Sequence, residues 1–414
     1  MDVINGRWTL ADRLERSPRE VPFEVPPGTA SITVRLRYDR AQGVLDLGCA
    51  SPNGFRGWSG GAREEYTITT DGATPGYLPG EPEPGTWQVW LGLHRIPPKG
   101  LDYTLEITTS TSARARLDLV TQWSFGGSPV PPEMRLESLG PPVGERPPRR
   151  DIPAVDGLRW LAGDFHTHTV HSDGAYTIAE LAELAAGRGL DFLAVTDHNT
   201  ISHHPFLAPI GHQRGITLLP GQEVTTDRGH ANVFGDVGWI DFREPAGDWA
   251  LGDGLLSINH PLGGDCAWLQ PLREDARAQV AEVWHSGWWD RTWGAPIAWA
   301  QAWRSDVIAI GGSDFHRLGA DALPGSPTTW VLAEGPDMIL DAVRAGRTAV
   351  SANPEGPLLL RIGDDLLALD ADGLVLVRPD GARRLVHGDR TTFSADTGPY
   401  RLETWENEVI ALCM

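Results

Sequence analysis

The sequence predicts an α/β protein with an all-β domain in front of it and a short β region behind it. The first third of the chain alternates apolar and polar residues at a period of two, with Gly/Pro turns between the runs. From about Arg159 onward, strand-like runs alternate with helical ones. The 414 residues are too many for one ordinary core, so two or three domains are expected.

The N-terminal region, residues 1–125, is predicted to be a small β-sandwich. Its period-two runs are ASITVRLRY from Ala30, WQVWLGL from Trp87 and LDYTLEITT from Leu101. Trp58, Trp87 and Trp90 in this region fit either a sugar-stacking face or core and edge packing, and packing is the commoner role of such residues.

Residues 126–158 are predicted to be a linker. The stretch from Gly126 to Pro153 is rich in proline and has no apolar periodicity, which is typical of an extended segment on a surface. A new domain is therefore expected to start near residue 159.

Residues 159–352 are predicted to form the α/β domain. Thr177 is placed as the N-cap of a helix in TIAELAELAAGRGL, which runs into the buried strand DFLAVTDH. Further strand-like runs are ITLLPGQE, GLLSINHP, VAEVWHSG and DVIAIGGSDFH, and one more helix is expected from Gly335 to Arg347. The alternation indicates parallel strands in a barrel or an open sheet, and residues 353–414 return to β character.

The composition narrows the class of partner and the compartment. A net charge of −20, spread along the chain, argues against binding a nucleic acid backbone or an anionic membrane. Cys49, Cys266 and Cys413 are far apart and lack CxxC spacing, so neither a disulfide framework nor a thiolate zinc site is expected. Without a signal peptide pattern or an apolar run of spanning length, the expected location is the cytoplasm.

Metal-binding residue types recur where the predicted strands of the α/β domain end. GDFHTHTVHSDG, from Gly163, follows the first strand, and similar residues follow later ones. In a parallel α/β barrel the carboxyl ends of the strands surround one site, so residues distant in sequence converge there. The residues concerned are His166, His168, Asp197, His198, Glu223, His230, His260, Asp314 and His316.

Spacing indicates which of these residues act together. Residues i and i+2 of a strand face the same side, so His166 and His168 are expected to hold one ion together, and Asp314 and His316 likewise. Adjacent residues cannot both face inward. His198 is therefore preferred as a ligand, with its neighbour Asp197 orienting another ligand.

Taken singly, each of these fragments is more often structural than functional. An isolated HxH is common on exposed strands, and SDG or NHP is usually a turn. Their joint recurrence at successive strand ends favours a metal centre. Six other histidines lack such a position and are assigned to the surface or to packing: His171, His203, His204, His212, His285 and His387. Of these, His285 is able to line the pocket.

The motifs HTHTVHSDG, TDHN, GQE, GHANVFG, INHP and GGSDFH, in this order, resemble those of the polymerase and histidinol phosphatase (PHP) superfamily of metallohydrolases. They cover Gly163 to His316, less than half of the chain. The segment DAVRAGRTAVSANPEGP resembles the carbaryl hydrolase-like (CehA/McbA) branch of that superfamily.

The resemblance implies a distorted (β/α)7 TIM-like barrel that holds two to three divalent ions of Zn, Mn or Fe. Glu223 is able to bridge two of the ions, and Asp173 stands where some members have a histidine. The implied metal ligands are His166, His168, Asp173, His198, Glu223, His230, His260, Asp314 and His316. Their six imidazoles and three carboxylates neutralise only half the charge of three divalent cations, and this surplus favours an anionic group on the substrate.

The leading functional hypothesis is hydrolysis of a phosphate mono- or diester by a metal-activated hydroxide, on a small-molecule substrate. Asp314, Glu223 and His198 are assigned to catalysis, with Asp314 accepting the proton of the water. Arg291 and Arg317 are candidate phosphate contacts, and His285 is a candidate pocket residue.

Two alternatives are carried beside it. The first keeps the metals and hydrolyses a carbamate or amide, with an aromatic leaving group between Trp284, Trp288, Trp289 and Trp293. The second is a metal-stabilised scaffold whose β domains bind a glycan or a protein.

Overall fold

The computed structural model describes residues 1–15, 17–112, 146–273 and 276–414. Much of the predicted linker, residues 126–145, lies outside these ranges. The chain divides into two compact units. The N-terminal unit comprises residues 1–139 and two later segments, 168–178 and 197–206, whereas the C-terminal unit comprises residues 140–167, 179–196 and 207–414.

The N-terminal unit contains two four-stranded antiparallel sheets, ordered β1-β8-β3-β6 and β2-β7-β4-β5. This confirms the antiparallel β structure predicted for the start of the chain. A short helix, α1 (Leu10–Glu15), follows the first strand. The strands are β1 (Asp2–Trp8), β2 (Arg19–Val25), β3 (Ser31–Tyr38), β4 (Val44–Ser51), β5 (Gly54–Gly60), β6 (Glu65–Thr69), β7 (Gly85–Arg95) and β8 (Leu101–Ser110).

Both sheets bury side chains in one shared core. Val34 of β3 and Leu105 of β8 lie in it together with Leu47 of β4 and Val89 of β7. Strand β8 alternates buried and less buried residues, because a sheet with one covered face buries every second side chain. The tryptophans of the sheets, Trp58, Trp87 and Trp90, are buried, as packing residues are.

The C-terminal unit contains the remaining strands and most residues of the other helices, of which α2 and α3 begin in the later segments of the N-terminal unit. The helices are α2 (Ile178–Gly187), α3 (His204–Arg214), α4 (Ala295–Trp303) and α5 (Ile339–Arg344). The strands are β9 (Arg159–Asp164), β10 (Phe192–Val195), β11 (Thr217–Thr226), β12 (Gly229–Phe234), β13 (Leu255–Ile258), β14 (Val280–His285), β15 (Ile308–Gly312), β16 (Thr328–Ala333), β17 (Thr348–Ser351), β18 (Leu358–Ile362), β19 (Asp365–Leu369), β20 (Val375–Val377), β21 (Arg383–Leu385), β22 (Arg390–Ser394), β23 (Tyr400–Glu403) and β24 (Val409–Cys413).

Strands β9 to β15 are neighbours in sequence order within a 13-stranded sheet. β9, β10 and β11 pair in parallel, and so do β13, β14 and β15. β12 departs from the expected parallel pattern, because it returns from β11 through a tight turn at residues 227–228 and pairs antiparallel on both sides. Beyond the ends of β9 and β15, Thr167 and Phe315 form a parallel bridge.

The helices predicted from the sequence agree with those of the structure to different extents. The helix predicted after Thr177 is present as α2. The helix expected from Gly335 to Arg347 is shorter, since residues 336–338 form a 3-10 turn before α5. Helix α3 contains Pro209 and lacks a clear apolar stripe, so no periodic pattern predicted it. Among the described residues, no helix has the length and apolarity needed to cross a bilayer.

Candidate metal centre

Glu223 lies at the centre of the buried polar groups of the C-terminal unit. It is fully buried in β11. His230 Nδ1 lies 3.0 Å from Glu223 Oε1, Asn259 Nδ2 donates to the same oxygen at 2.9 Å, and His260 Nε2 lies 3.3 Å from it. A carboxylate this deeply buried is stable only with such partners or with a cation.

His166 joins Glu223 to two further carboxylates. Its Nε2 lies 3.3 Å from Glu223 Oε2 and 3.2 Å from Asp314 Oδ1. On the other side of the ring, Nδ1 donates to Glu282 Oε1 at 2.7 Å. When Nδ1 carries the proton of the neutral ring, the lone pair of Nε2 faces Glu223 and Asp314. Such a carboxylate partner is the usual way in which proteins orient a metal-binding histidine.

The spacing of these donor atoms fits a shared metal ion. Nitrogen and oxygen ligands at 2.0–2.2 Å from one tetrahedral ion lie about 3.4 Å from each other. The Nε2 of His166 is 3.3 Å from Glu223 Oε2 and 3.2 Å from Asp314 Oδ1, close to this spacing. His166, Glu223 and Asp314 each place one donor atom within 4.8 Å of the other two. The donor set of imidazole and carboxylate suits zinc, manganese or iron.

Two of the residues in this cluster have an uncommon backbone conformation. His260 has φ of 26° and Asp314 has φ of 52°, in the left-handed region that residues with a side chain rarely adopt. Such a conformation costs about 1–3 kcal/mol and is retained where the surroundings or the function require it. It directs Asp314 toward His166 immediately after the chain has left β15.

A glycine makes the contact between His166 and Glu282 possible. Gly312 is the last residue of β15. A Cβ atom at this position would lie 2.6 Å from His166 Cβ and would overlap Glu282 Oε1. A larger residue would therefore displace the carboxylate from the histidine.

Burial and neighbouring charges shift the pKa values of His166 and Glu282 in opposite directions. Burial lowers the pKa of His166, but the carboxylates of Glu282, Glu223 and Asp314 outweigh it and place its pKa well above the usual histidine value. Burial raises the pKa of Glu282, and His166 reverses this so that the pKa lies below its usual value. A cation bound at His166 Nε2 therefore competes with a proton.

The other predicted residues of this unit lie around that cluster in different ways. His316 Nδ1 donates to the backbone oxygen of Asp314 at 2.8 Å, which leaves Nε2 as the donor atom for an ion. The backbone N–H of Gly287 donates to His285 Nδ1 at 2.9 Å, so the neutral His285 ring carries its proton on Nε2. Arg291 is paired with Glu408, and Arg317 is exposed.

Three predicted ligands, His168, Asp173 and His198, belong to the two later segments of the N-terminal unit. The rings of His168 and His198 stack with centroids 4.3 Å apart, and His198 Nε2 lies 3.6 Å from Asp173 Oδ1. Donor atoms of the three residues lie within 4.8 Å of one another.

Asp197 fastens these two segments together. Its Oδ1 accepts hydrogen bonds from Thr169 N at 2.9 Å and Ser172 Oγ at 2.6 Å, and its Oδ2 accepts one from Thr169 Oγ1 at 2.6 Å. Burial raises the pKa of Asp197, but His203, His171 and His168 outweigh it and bring the pKa to about 2.

The two predicted ligand pairs, His166 with His168 and Asp314 with His316, do not lie within strands in the structure. β9 ends at Asp164 and β15 ends at Gly312, so His166, His168, Asp314 and His316 all follow the strands. Alternation along a strand therefore does not decide where they point. Glu223 and His230, by contrast, lie within β11 and β12.

Sequence reasoning missed three supporting residues of the C-terminal unit. Glu282 receives His166 Nδ1 and the backbone N–H of His260, the latter at 2.9 Å. Asn259 holds Glu223, and Asp164 accepts the backbone N–H groups of His166 and Ser313 at 3.0 Å and 3.1 Å. The available signal for Glu282 was a single carboxylate inside the apolar strand VAEVWH.

Comparison with known proteins finds similarity to part of the chain that carries this cluster. Residues 164–261 match the PHP domain model. Over 95 residues the chain is 39% identical to a 3',5'-nucleoside bisphosphate phosphatase from Chromobacterium violaceum, which is 23% of this chain and 32% of that protein. Over 75 residues it is 35% identical to the DNA polymerase/3'-5' exonuclease PolX from Bacillus subtilis, which is 18% of this chain and 12% of that protein.

The chain thus spans about a third of the length of the first of these relatives. A solved structure from Bacteroides vulgatus, described as a two-domain protein containing a predicted PHP-like metal-dependent phosphoesterase, aligns with 66% of this chain and 91% of its own. Its sequence identity is 19% and the TM-score is 0.41. The range that matches the PHP domain model, residues 164–261, contains His166, Glu223, His230 and His260, whereas Asp314 and His316 lie outside it.

Proposed function

We propose that the protein is a metal-dependent hydrolase that cleaves a phosphate mono- or diester. The observation that carries this proposal is the cluster of His166, Glu223 and Asp314, in which the buried His166 Nε2 lies 3.3 Å from Glu223 Oε2 and 3.2 Å from Asp314 Oδ1. His166 and Glu223 lie in the range that matches the PHP domain model. The 3',5'-nucleoside bisphosphate phosphatase that it resembles in part supports a phosphoester as the substrate class.

Two to three divalent ions of Zn, Mn or Fe are proposed as the cofactors. The C-terminal unit would supply His166, Glu223, His230, His260, Asp314 and His316. The N-terminal unit would supply His168, Asp173 and His198, whose donor atoms also lie within 4.8 Å of one another. A single ion with an open water position takes only three or four protein ligands, so nine require more than one ion.

Bound divalent ions would lower the pKa of a water molecule and neutralise the phosphoryl oxygens. Glu282 holds His166 in the tautomer that presents Nε2, and Asn259 fixes Oε1 of Glu223. Asp314 is the proposed acceptor for the proton of the attacking water. His285, with its proton on Nε2 at 3.4 Å from Asp314 Oδ2, is the proposed hydrogen-bond donor to the substrate.

The two arginines proposed to contact a phosphate, Arg317 and Arg291, differ in whether they already have a partner side chain among the described residues. Arg317 is exposed next to His316, where its guanidinium is available for a bidentate contact with a phosphate. Arg291 is paired with Glu408 and lies 5.8 Å over the ring of Trp284, so binding a phosphate there would require breaking an existing pair. Arg317 is therefore the preferred contact.

Finer assignments are proposed on the same basis. We infer a distorted (β/α)7 barrel from β9 to β15, because these seven strands are neighbours in order and Thr167 bridges Phe315 past their ends. Membership in the carbaryl hydrolase-like branch and a cytoplasmic location stay predictions from the sequence.

A substrate panel on protein purified without chelator tests the function. The panel contains nitrophenyl phosphate, bis-nitrophenyl phosphate and a naphthyl carbamate, and elemental analysis is run on the same sample. We expect two to three ions per chain, turnover of at least one phosphate ester, loss of turnover after chelation and recovery with Mn²⁺ or Zn²⁺. Glu223→Gln should abolish turnover, whereas Glu244→Gln, on an exposed loop of the same unit, should leave it unchanged.

Turnover of the carbamate and of neither phosphate would refute the phosphoesterase assignment. Protein without a firmly bound ion would refute the metal centre as a whole.

A further inference from the structure

The two segments that carry His168, Asp173 and His198 form one compact unit with the N-terminal β sheets. Segment 168–178 carries His168 and Asp173, and segment 197–206 carries His198. Two positions of the N-terminal unit, Arg63 and Gly76, make buried polar contacts with these segments, and the effect of these contacts can be tested separately.

Arg63, between β5 and β6, is the first of these contacts. The side chain is buried, with the residue only 8% exposed. Its Nη1 donates to the backbone oxygen of Ser172 at 2.9 Å, and its Nη2 donates to the backbone oxygen of Val170. One guanidinium thus grips two carbonyls of the segment that lies between His168 and Asp173, and charge-assisted hydrogen bonds of this kind are stronger than neutral ones.

Gly76 is the second contact. Its backbone N–H donates to Ser202 Oγ at 3.0 Å, and its backbone oxygen accepts a hydrogen bond from Thr200 Oγ1 at 2.9 Å. Its φ is +98°, and a Cβ atom here would lie 2.8 Å from the backbone oxygen of His171. Only glycine allows this backbone to approach both segments.

The two segments are also bonded to each other, so a displacement of one is transmitted to the other. Asp197 accepts hydrogen bonds from Thr169 and Ser172, and Ser202 Oγ lies 2.8 Å from His171 Nδ1. Arg63 is bonded to segment 168–178, and Gly76 is bonded mainly to segment 197–206.

We propose that the N-terminal β domain positions the metal-binding segments, with Arg63 as the main positioning residue. This inference rests on the proposed function, since it takes His168, Asp173 and His198 as ligands. A guanidinium in place fixes the backbone on both sides of His171 and thereby limits the conformations of His168 and Asp173. The β domain is then a part of the catalytic apparatus and not a separate binding module.

The test compares Arg63→Ala and Arg63→Lys with the control Arg37→Ala. Arg37 lies on β3 of the same sheets, but its side chain is 57% exposed and paired with Glu106. The full chain is stripped of metal, and Mn²⁺ binding is measured by titration calorimetry at a temperature where circular dichroism shows each variant to be folded. Turnover of a nitrophenyl phosphate is measured over a range of Mn²⁺ concentrations.

In Arg63→Ala we expect the most weakly held ion to bind about 10–100-fold less tightly, the usual cost of removing a residue that supports a ligand. Excess Mn²⁺ should restore part of kcat, which it would not do if Arg63 only stabilised the fold. Arg63→Lys should recover part of the affinity, because one ammonium replaces two parallel donors. Arg37→Ala should match the parent.

Folded Arg63→Ala with the affinity and number of ions of the parent would overturn the inference and leave the proposed function intact. If Arg63→Ala does not fold, Ser202→Ala replaces it, since it removes the partner of both Gly76 and His171 while leaving the β sheets unchanged. Parent-like binding by Ser202→Ala then overturns the inference. A parent protein that binds no ion overturns the proposed function and the inference with it.

Discussion

At the scale of single residues, the candidate metal centre depends on the residues that form hydrogen bonds with the predicted ligands. Glu282 accepts hydrogen bonds from His166 Nδ1 and from the backbone N–H of His260, so one buried carboxylate holds two histidine residues. Asn259 holds Glu223 by donating its amide N–H to Oε1. Removing such a partner leaves the ligand residue in the chain but frees its side chain to reorient. Metal affinity is therefore expected to fall more than the free energy of unfolding.

Replacing Glu282 with glutamine tests this. The amide keeps the shape but loses the charge, and its single acceptor oxygen replaces two, so it can accept from either the His166 N–H or the His260 N–H but not from both. We expect metal affinity to fall about 10–100-fold. Competition of the metal-free protein with a coloured chelator measures the change. Glu334→Gln, an exposed position in the same unit, serves as the control and should bind like the parent.

At the scale of elements, several predicted ligands follow the end of a strand, whereas Glu223 and His230 lie within one. β9 ends two residues before His166, and β15 ends two residues before Asp314. After β15, Asp314 has a φ of 52°. Its backbone N–H donates to the backbone oxygen of His166, which follows β9, at 2.9 Å. The sequence predicted ligands at strand ends and assigned strand geometry to His166, His168, Asp314 and His316, which instead follow the strands. The backbone bond between Asp314 and His166 joins residues far apart in the chain, so no local pattern predicts it.

Gly312→Ala is the corresponding prediction for an element. The added methyl group would meet His166 Cβ at 2.6 Å and overlap Glu282. Overpacking of this kind costs about 1–3 kcal/mol, so we expect a lower melting temperature and weaker metal binding. Calorimetric melting with and without Mn²⁺ measures both.

Gly335→Ala is the matched change, since a Cβ there meets nothing within 4 Å. Equal effects of the two substitutions would show that the crowding at Gly312 is unimportant.

At the scale of the whole molecule, each unit buries a thiol in its core. Cys49 belongs to the core of the N-terminal sheets, and Cys413 lies on the last strand of the C-terminal unit. Burial raises the pKa of Cys49 to about 12 and that of Cys413 to about 11. Cys266 is only partly buried. The two buried thiols therefore report on the integrity of the two units.

Thiol labelling of the native protein at pH 8 should modify Cys266 alone, and all three cysteines should react in denaturant. The thiolate is the reactive form, and a raised pKa keeps Cys49 and Cys413 protonated. Both pKa values exceed the usual 9.0, so the folded protein retains protons that the unfolded chain releases. The free energy of unfolding should therefore fall as the pH rises above about 9. Rapid native labelling of all three would contradict this burial.

The sequence alone determined the antiparallel β region at the start of the chain and the kind of metal chemistry expected, because alternation and clustered histidines are local patterns. Helix α2 was visible in the same way, through its apolar spacing after Thr177. Only the tertiary structure decided that Glu282 meets His166 across 116 positions and that Arg63 meets Ser172 across 109. Such pairs depend on how strands are ordered and where the backbone turns, and no local pattern encodes a contact between residues so far apart in the chain.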